Sequence, residues 1–299
     1  MFKSPPPRPV EVVEIMPGLR RLLAPNPSPM TLHGTNTYLL GDGEVAVIDP
    51  GPEDAAHLSA LLAALRPGER ISHILVTHAH LDHSPLARPL SARTGAPVLA
   101  FGDARAGRSP RMTALSATTA GGEGVDHAFA PDLQISNGEL VRGKGWEVTA
   151  LHTPGHMGNH LCFRWGDVVF SGDHVMGWAS TLISPPDGDM CDYMASLSRL
   201  DRAGARCFLP GHGGLVADPA ARIAALRAHR QEREAQILAA LAEGPADSAA
   251  LAALIYTETP AALQGAARRN VLAHLIDLEA QGRVAAAAPF GPDTIFRRP

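Results

Sequence analysis

Along most of this chain, apolar residues recur at alternate positions or in short unbroken runs, and many of these runs stop at or near a glycine or proline. That punctuation predicts strands over residues 11–15, 35–40, 44–49, 71–77, 97–101, 133–136, 146–151, 161–165 and 168–171. The runs at 35–40 and 44–49 meet at Gly41-Asp42-Gly43, a spacing that predicts a hairpin. Between other strands the period lengthens to that of a helix. Leu58, Leu61, Leu62 and Leu65 share one face of a helix opened by Asp54 and closed at Pro67-Gly68. Further helices are predicted over 86–94 and 191–203, the latter carrying Tyr193, Met194, Leu197 and Leu200 before a C-terminal Gly204. A hairpin followed by βαβ alternation implies sheets sandwiched between helices.

The pattern changes at Asp218-Pro219, a capping carboxylate with proline in the first turn. The helix it opens sets Arg227, Arg230, Arg233 and Glu234 among apolar residues and stops at Gly244-Pro245. A second helix over 248–254 and a third opened by Thr259-Pro260 follow, then two short strands, 283–287 and 294–297, around Pro289-Phe290-Gly291-Pro292. Three helices and a β-wing are the order of a winged helix. The expected division is therefore 1–217 and 218–299. Residues 103–132 are rich in Gly, Ser, Thr and Ala with little periodicity, which predicts either a wall or lid beside a substrate or a disordered excursion. The proline-rich start, residues 1–9, reads as a tail.

Composition narrows the class. The 299 residues are 45% hydrophobic and 19% charged, which is globular, and the length favours one large domain plus a small one. A net charge of -4 gives no bulk attraction to polyanions. The three cysteines are odd in number and lack C-x-x-C spacing, so they read as reduced core residues. No stretch has the apolar length of a membrane span or secretory signal, and the expected location is cytoplasmic.

The densest chemistry lies in Thr77-His78-Ala79-His80-Leu81-Asp82-His83, directly after the strand at 71–77. Imidazole nitrogen and carboxylate oxygen hold zinc, manganese or iron, and a turn at a strand end can aim several at one ion. Three later runs end in Gly or Pro-Gly beside a ligand type: His156 in Thr153-Pro154-Gly155-His156, Asp173 in Ser171-Gly172-Asp173, and His212 in Pro210-Gly211-His212-Gly213. Together they predict a metal site distributed over several strand ends.

This ordered set resembles the metallo-β-lactamase superfamily of metal-dependent hydrolases. The resemblance implies an αββα sandwich, here α+β with a winged-helix-like C-terminal domain. It also implies that His78, His80 and His156 hold one ion, that Asp82, His83 and His212 hold a second, and that Asp173 bridges them. No ligand position is missing. Thr31-Leu32-His33-Gly34-Thr35-Asn36-Thr37-Tyr38-Leu39, Asp192-Tyr193-Met194 and the run from His229 to Leu238 are similar to the beta-lactamase-like protein 2 group. Its members are described as hydrolases, and the animal mitochondrial member as an endoribonuclease for single-stranded RNA. Ser84-Pro85 departs from the family's usual Ser-Gly.

Two divalent ions sharing a hydroxide make a nucleophile at neutral pH, so the expected activity is dinuclear hydrolysis of an acyl substrate: thioester, ester or lactone. The competing expectation is cleavage of single-stranded RNA, with Arg268-Arg269 and Arg297-Arg298 on phosphates. Zinc is the expected metal, with manganese or iron as alternatives, because an all-N/O set holds no thiolate to select among them. Asp82 is expected to orient the attacking water and His160 to contact substrate or carry a proton. His33 is a candidate for the pocket lining, and His174 for packing beside Asp173.

Overall fold

The computed structural model describes residues 10–122, 124–286, 290–291 and 293–299. Two sheets form its centre. The first contains Val13–Met16 (β1), Leu19–Leu23 (β2), Asn36–Leu40 (β3), Glu44–Ile48 (β4), Arg70–Leu75 (β5), Val98–Ala100 (β6) and Leu133–Gln134 (β7), paired in chain order. Strands β1 to β4 run antiparallel, while β4 to β7 run parallel. The second contains Leu140–Gly143 (β8), Trp146–His152 (β9), Leu161–Trp165 (β10), Val168–Gly172 (β11) and Cys207–Pro210 (β12), in spatial order β12-β11-β10-β9-β8.

Side-chain alternation explains why both sheets are covered on both faces. Val45 and Val47 of β4 enter one core cluster, with Leu61 and Leu90 from helices Ala55–Ala63 (α1) and Ala87–Thr94 (α2). Their neighbours Ala46 and Ile48 face the other way, into a second cluster shared with Leu161, Phe163, Val168 and Phe170. That cluster is the seam between the sheets. Cys162 and Val169 then point to the far face of the second sheet, against helix Met190–Arg202 (α4) and the first half of helix Pro219–Glu243 (α5). The layers are helix, sheet, sheet, helix, as the α+β reading requires.

Two capping carboxylates read from the sequence hold, whereas the third C-terminal helix starts at Gln264, after a short 3-10 turn, and not at Thr259-Pro260. Asp54 accepts from the His57 N–H at 2.7 Å, and Asp218 from the Ala221 N–H at 3.0 Å with Pro219 following. Helices Ser248–Ile255 (α6) and Gln264–Ala280 (α7) pack with the end of α5 around Val271, Leu275 and Phe296. Because α5 gives Ile223 and Leu226 to the cluster behind the second sheet and Ile237 and Leu241 to the C-terminal cluster, it ties the two together. Parts of both expected wing strands survive as bridges, Ala285 with Arg297 and Ala246 with Phe296; residues 287–289 and 292, like the proline-rich 1–9, lie outside the described residues.

Three elements differ from expectation. Strand β2 is Leu-Arg-Arg-Leu-Leu, whose two arginines break the alternation signal, yet Arg20 is buried, paired with Glu69 at 2.9 Å and donating to Ala64 O at 2.7 Å. Strand β8 is an edge strand with one buried residue, too polar to read from its pattern. Within 103–132, Ser109 caps a helix, Pro110–Leu115 (α3), whose Met112 and Leu115 pack into the C-terminal cluster. The segment is anchored, and Gly122 and Gly124 do line the cleft described below.

Candidate metal centre

The turn after β5 is fixed before it offers any ligand. The N–H and hydroxyl of Thr77 both donate to Asp49, each at 2.7 Å, and Thr77 O accepts from Leu161 N–H at 2.8 Å, tying the first sheet to the second. Asp49 sits at the end of β4 with φ of 50°, a left-handed conformation that a non-glycine residue adopts only under tertiary constraint. Its carboxylate also accepts from His83 Nδ1 at 2.9 Å.

These contacts set the imidazole tautomers. The Thr77 hydroxyl hydrogen goes to Asp49, so its oxygen accepts from His78 Nδ1 at 2.9 Å and leaves Nε2 as the free lone pair. His83, His156 and His212 likewise place Nδ1 on Asp49, on Leu182 O at 2.7 Å and on Gly34 O at 3.2 Å, presenting Nε2. Carboxylate or carbonyl acceptors behind an imidazole are how proteins orient metal-binding histidines. His80 presents Nδ1, which stands 2.9 Å from His78 Nε2 and 3.0 Å from His156 Nε2.

The seven candidates converge. One group is His78, His80 and His156; another is Asp82, His83 and His212; His78, His83 and Asp173 form a third that joins them. Asp173 is 3.3 Å from His212 Nε2, 3.5 Å from His83 Nε2 and 3.9 Å from His156 Nε2, so its carboxylate faces both ends of the cluster. His212 also lies 3.1 Å from Asp82.

Electrostatics divide the imidazoles. Burial pushes His80 down to about 3 and lowers His78 and His156 too, keeping them neutral, the form that ligates. Burial also opposes charge on His212, yet Asp173 raises it to about 9 with help from Asp82. Burial is outweighed at His83 too, raised by Asp82, Asp173 and Asp49, while His212 and His83 hold Asp173 well below the carboxylate range. Lone pairs from three neutral imidazoles facing one another, beside two carboxylates, are a donor set that fits divalent cations.

A cleft of about 980 Å³ opens over this cluster, with His80, Asp82, His156, Asp173 and His212 in its lining. Met30, Leu81, Met176, Trp178 and Leu182 make its walls on the side of the two sheets, and Tyr256, Leu263, Ala266, Arg269 and Asn270 close it from the C-terminal region. His160 does not reach this cleft. It is fully buried, its Nε2 accepts from the Asp173 N–H at 3.3 Å, and Nδ1 faces the Thr153 hydroxyl at 2.9 Å. The expected substrate contact is thereby corrected, because both ring nitrogens are engaged beneath the floor. His33 is exposed and outside the lining; His174 is buried against Tyr193, ring centroids 4.6 Å apart.

The family model described as the metallo-beta-lactamase superfamily matches residues 30–212, the stretch that holds all seven candidates. The chain belongs to the metallo-beta-lactamase superfamily. A second model, the beta-lactamase associated winged helix domain, matches residues 248–289. Among curated relatives, a Drosophila melanogaster beta-lactamase-like protein 2 homolog is 31% identical over 283 residues, 91% of each chain. An Aspergillus fumigatus atrochrysone carboxyl ACP thioesterase is 31% identical over 271 residues, 84% of this chain and 77% of the relative. Among solved structures, a metallo-beta-lactamase family protein from Thermus thermophilus superposes with a TM-score of 0.75 at 26% identity, covering 96% of this chain and all of that one. The protein is a hydrolase of this superfamily with a winged-helix C-terminal domain.

Sequence reasoning missed two residues that serve the cluster. Asp49 carried a signal, a carboxylate followed by Pro50-Gly51 at a strand end. Asn36 appeared only within a quoted motif, yet its Nδ2 donates to Pro210 O at 3.0 Å and Gly213 O at 2.9 Å, holding the His212 turn against the first sheet.

Proposed function

We propose that this hydrolase cleaves an acyl substrate, a thioester first among esters and lactones, with its carbonyl over the cluster and its acyl chain along the cleft. The cleft lining carries that reading. Among the described lining residues Arg269 is the one lysine or arginine, whereas a polynucleotide needs a series of cations for successive phosphates. Of the four arginines offered for RNA, Arg268 is paired with Asp293 at 2.6 Å, and Arg269 donates to Gly121 O at 3.2 Å. The Aspergillus relative named as an ACP thioesterase supports the same class.

His78, His80 and His156 would hold one ion, Asp82, His83 and His212 the second, with Asp173 shared. When bound, two divalent ions, zinc foremost, supply a hydroxide at neutral pH and polarise the carbonyl. The chain's own groups do the rest. Asp82, the cluster carboxylate with the more exposed side chain at 27%, accepts a hydrogen bond from the attacking water and aims it. His160 is a positioning residue, holding the Asp173 backbone together with Thr181, whose hydroxyl donates to Asp173 O at 2.6 Å. Apolar walls exclude competing water from the acyl chain. Residues 1–217 carry this chemistry, and 218–299 close the cleft.

The test assays zinc-loaded protein on acyl thioesters, lactones and labelled single-stranded RNA, with Asp82→Ala in parallel. Thioester turnover lost in Asp82→Ala is expected. RNA cleavage that depends on Asp82, without thioester turnover, would replace this reading with the nuclease.

A further inference from the structure

Beside the main cleft lies a smaller pocket of about 490 Å³, lined by Arg105, Arg108, Thr119, Gly121 and His127 among others. We propose that it is an anion subsite that receives the phosphate of a phosphopantetheine arm, the carrier on which acyl thioesters are presented; this rests on the thioesterase reading above. Its wall is rich in hydrogen-bond donors. The Arg105 side chain is exposed at the pocket and has no carboxylate partner among the described residues, the neighbouring Asp103 carboxylate being occupied by the Arg105 and Ala106 N–H groups at 2.9 and 3.0 Å. Arg108 is paired with Asp187 through Nη2, while its buried Nε has no acceptor. Thr119 is 5% exposed, and its hydroxyl has no hydrogen-bond partner among the described residues. A guanidinium fork matches phosphate oxygens in pairs, and an exposed guanidinium at the wall of a pocket without a carboxylate partner is free to make that match.

The position connects this pocket to the chemistry. Ala120 and Gly121 line the small pocket, and Gly122, the next residue, lines the main cleft. Gly122 N–H donates to Asp187 at 2.7 Å, so the carboxylate that pairs with Arg108 on one side also forms the lining of the main cleft on the other. Arg269 donates to Ala120 O and Gly121 O at 3.4 and 3.2 Å, bracing this dividing segment from the cleft side. A ligand with a carbonyl over Asp82 and Asp173 and a single phosphate at the far end of its arm, past the divider, satisfies both cavities. A polynucleotide would need cations along the cleft between them.

The test measures binding of 4′-phosphopantetheine, pantetheine and inorganic phosphate to the full chain by isothermal titration calorimetry, with coenzyme A and a phosphopantetheinylated carrier protein as separate arms. The phosphorylated compound is expected to bind about tenfold tighter than pantetheine, the scale of one charge-assisted contact. In Arg105→Ala that ratio falls towards one, in Arg105→Lys part of it returns, and in Thr119→Val it drops less. Preference for coenzyme A or for the carrier protein identifies the source of the arm, and either supports the subsite. Equal binding of the two pantetheines by the wild-type protein, or a ratio untouched by Arg105→Ala, overturns it. So does an Arg105→Ala loss confined to single-stranded RNA. If no thioester is hydrolysed yet the Arg105-dependent ratio is present, the thioesterase reading fails and the anion subsite stands.

Discussion

The two sheets supply the ligand cluster in different ways. The first delivers His78, His80, Asp82 and His83 from one turn after β5, held by the Asp49 side chain. The second delivers His156, Asp173 and His212 from three separate strand ends, held by the Leu182 and Gly34 carbonyls and by His160. A contiguous turn is a local device that a side chain behind it can lock. A distributed set depends on strand pairing, because Asp173 and His212 are neighbours only through the parallel pairing of β11 with β12. Perturbing each side should therefore fail differently.

The largest effect is expected where the two sides meet. Asp173→Ala removes the carboxylate that faces both ends of the cluster, and hydrolytic kcat/KM should fall roughly a thousandfold, the several kcal/mol that metal-ion catalysis supplies. Steady-state kinetics on an acyl thioester would read it; a loss under tenfold would mean that the two sides work independently.

On the first sheet's side, Asp49→Ala leaves every ligand in the chain but releases Thr77 and His83. Metal affinity, measured against a competing chelator, should weaken about 10- to 100-fold, the range for carboxylates behind ligating histidines. Unchanged affinity would show that the turn is held by its backbone alone.

How legible this was in the sequence follows the same contrast. The turn His78 to His83 was readable because four ligand residues, three histidines and an aspartate, fall within six positions after an apolar run. His156, Asp173 and His212 were readable as strand-end residues, but their convergence came from family resemblance, since β-pairing is invisible to a local pattern. Strand β2 was hidden by a buried arginine and β8 by its exposed edge position. His160 misled because a histidine four residues past a ligand has the same appearance whether it faces a cleft or lies beneath one.

The seam between the sheets can be tested without touching a ligand. Asn36→Ala strips two carbonyls, Pro210 O and Gly213 O, of their donor, and should cost about 1–2 kcal/mol in urea unfolding with an unchanged m-value. A larger loss of activity than of stability is expected, because the His212 turn is released. Equal losses would make Asn36 a purely structural residue.

The smallest effect concerns His57, which packs beneath the first sheet with Nε2 2.9 Å from the Thr37 hydroxyl. Burial pushes its pKa from 6.5 to about 4. The folded state thus binds fewer protons than the unfolded one, and stability is lost as pH falls from about 6.5 towards 4. At pH 5.5 the loss is about 1 kcal/mol, and His57→Gln should flatten that part of the stability–pH curve. A variant curve parallel to the wild type would show that His57 keeps an ordinary pKa.

The account rests on seven side chains from two sheets forming one two-metal centre. Metal content per chain, measured by plasma mass spectrometry on the 299-residue chain after zinc loading and gel filtration, tests this most directly. Two ions are predicted for the wild type, with a reduced count in both His78→Ala from the first sheet and His212→Ala from the second. A wild-type count of one or none, or an unchanged count in either variant, would contradict it.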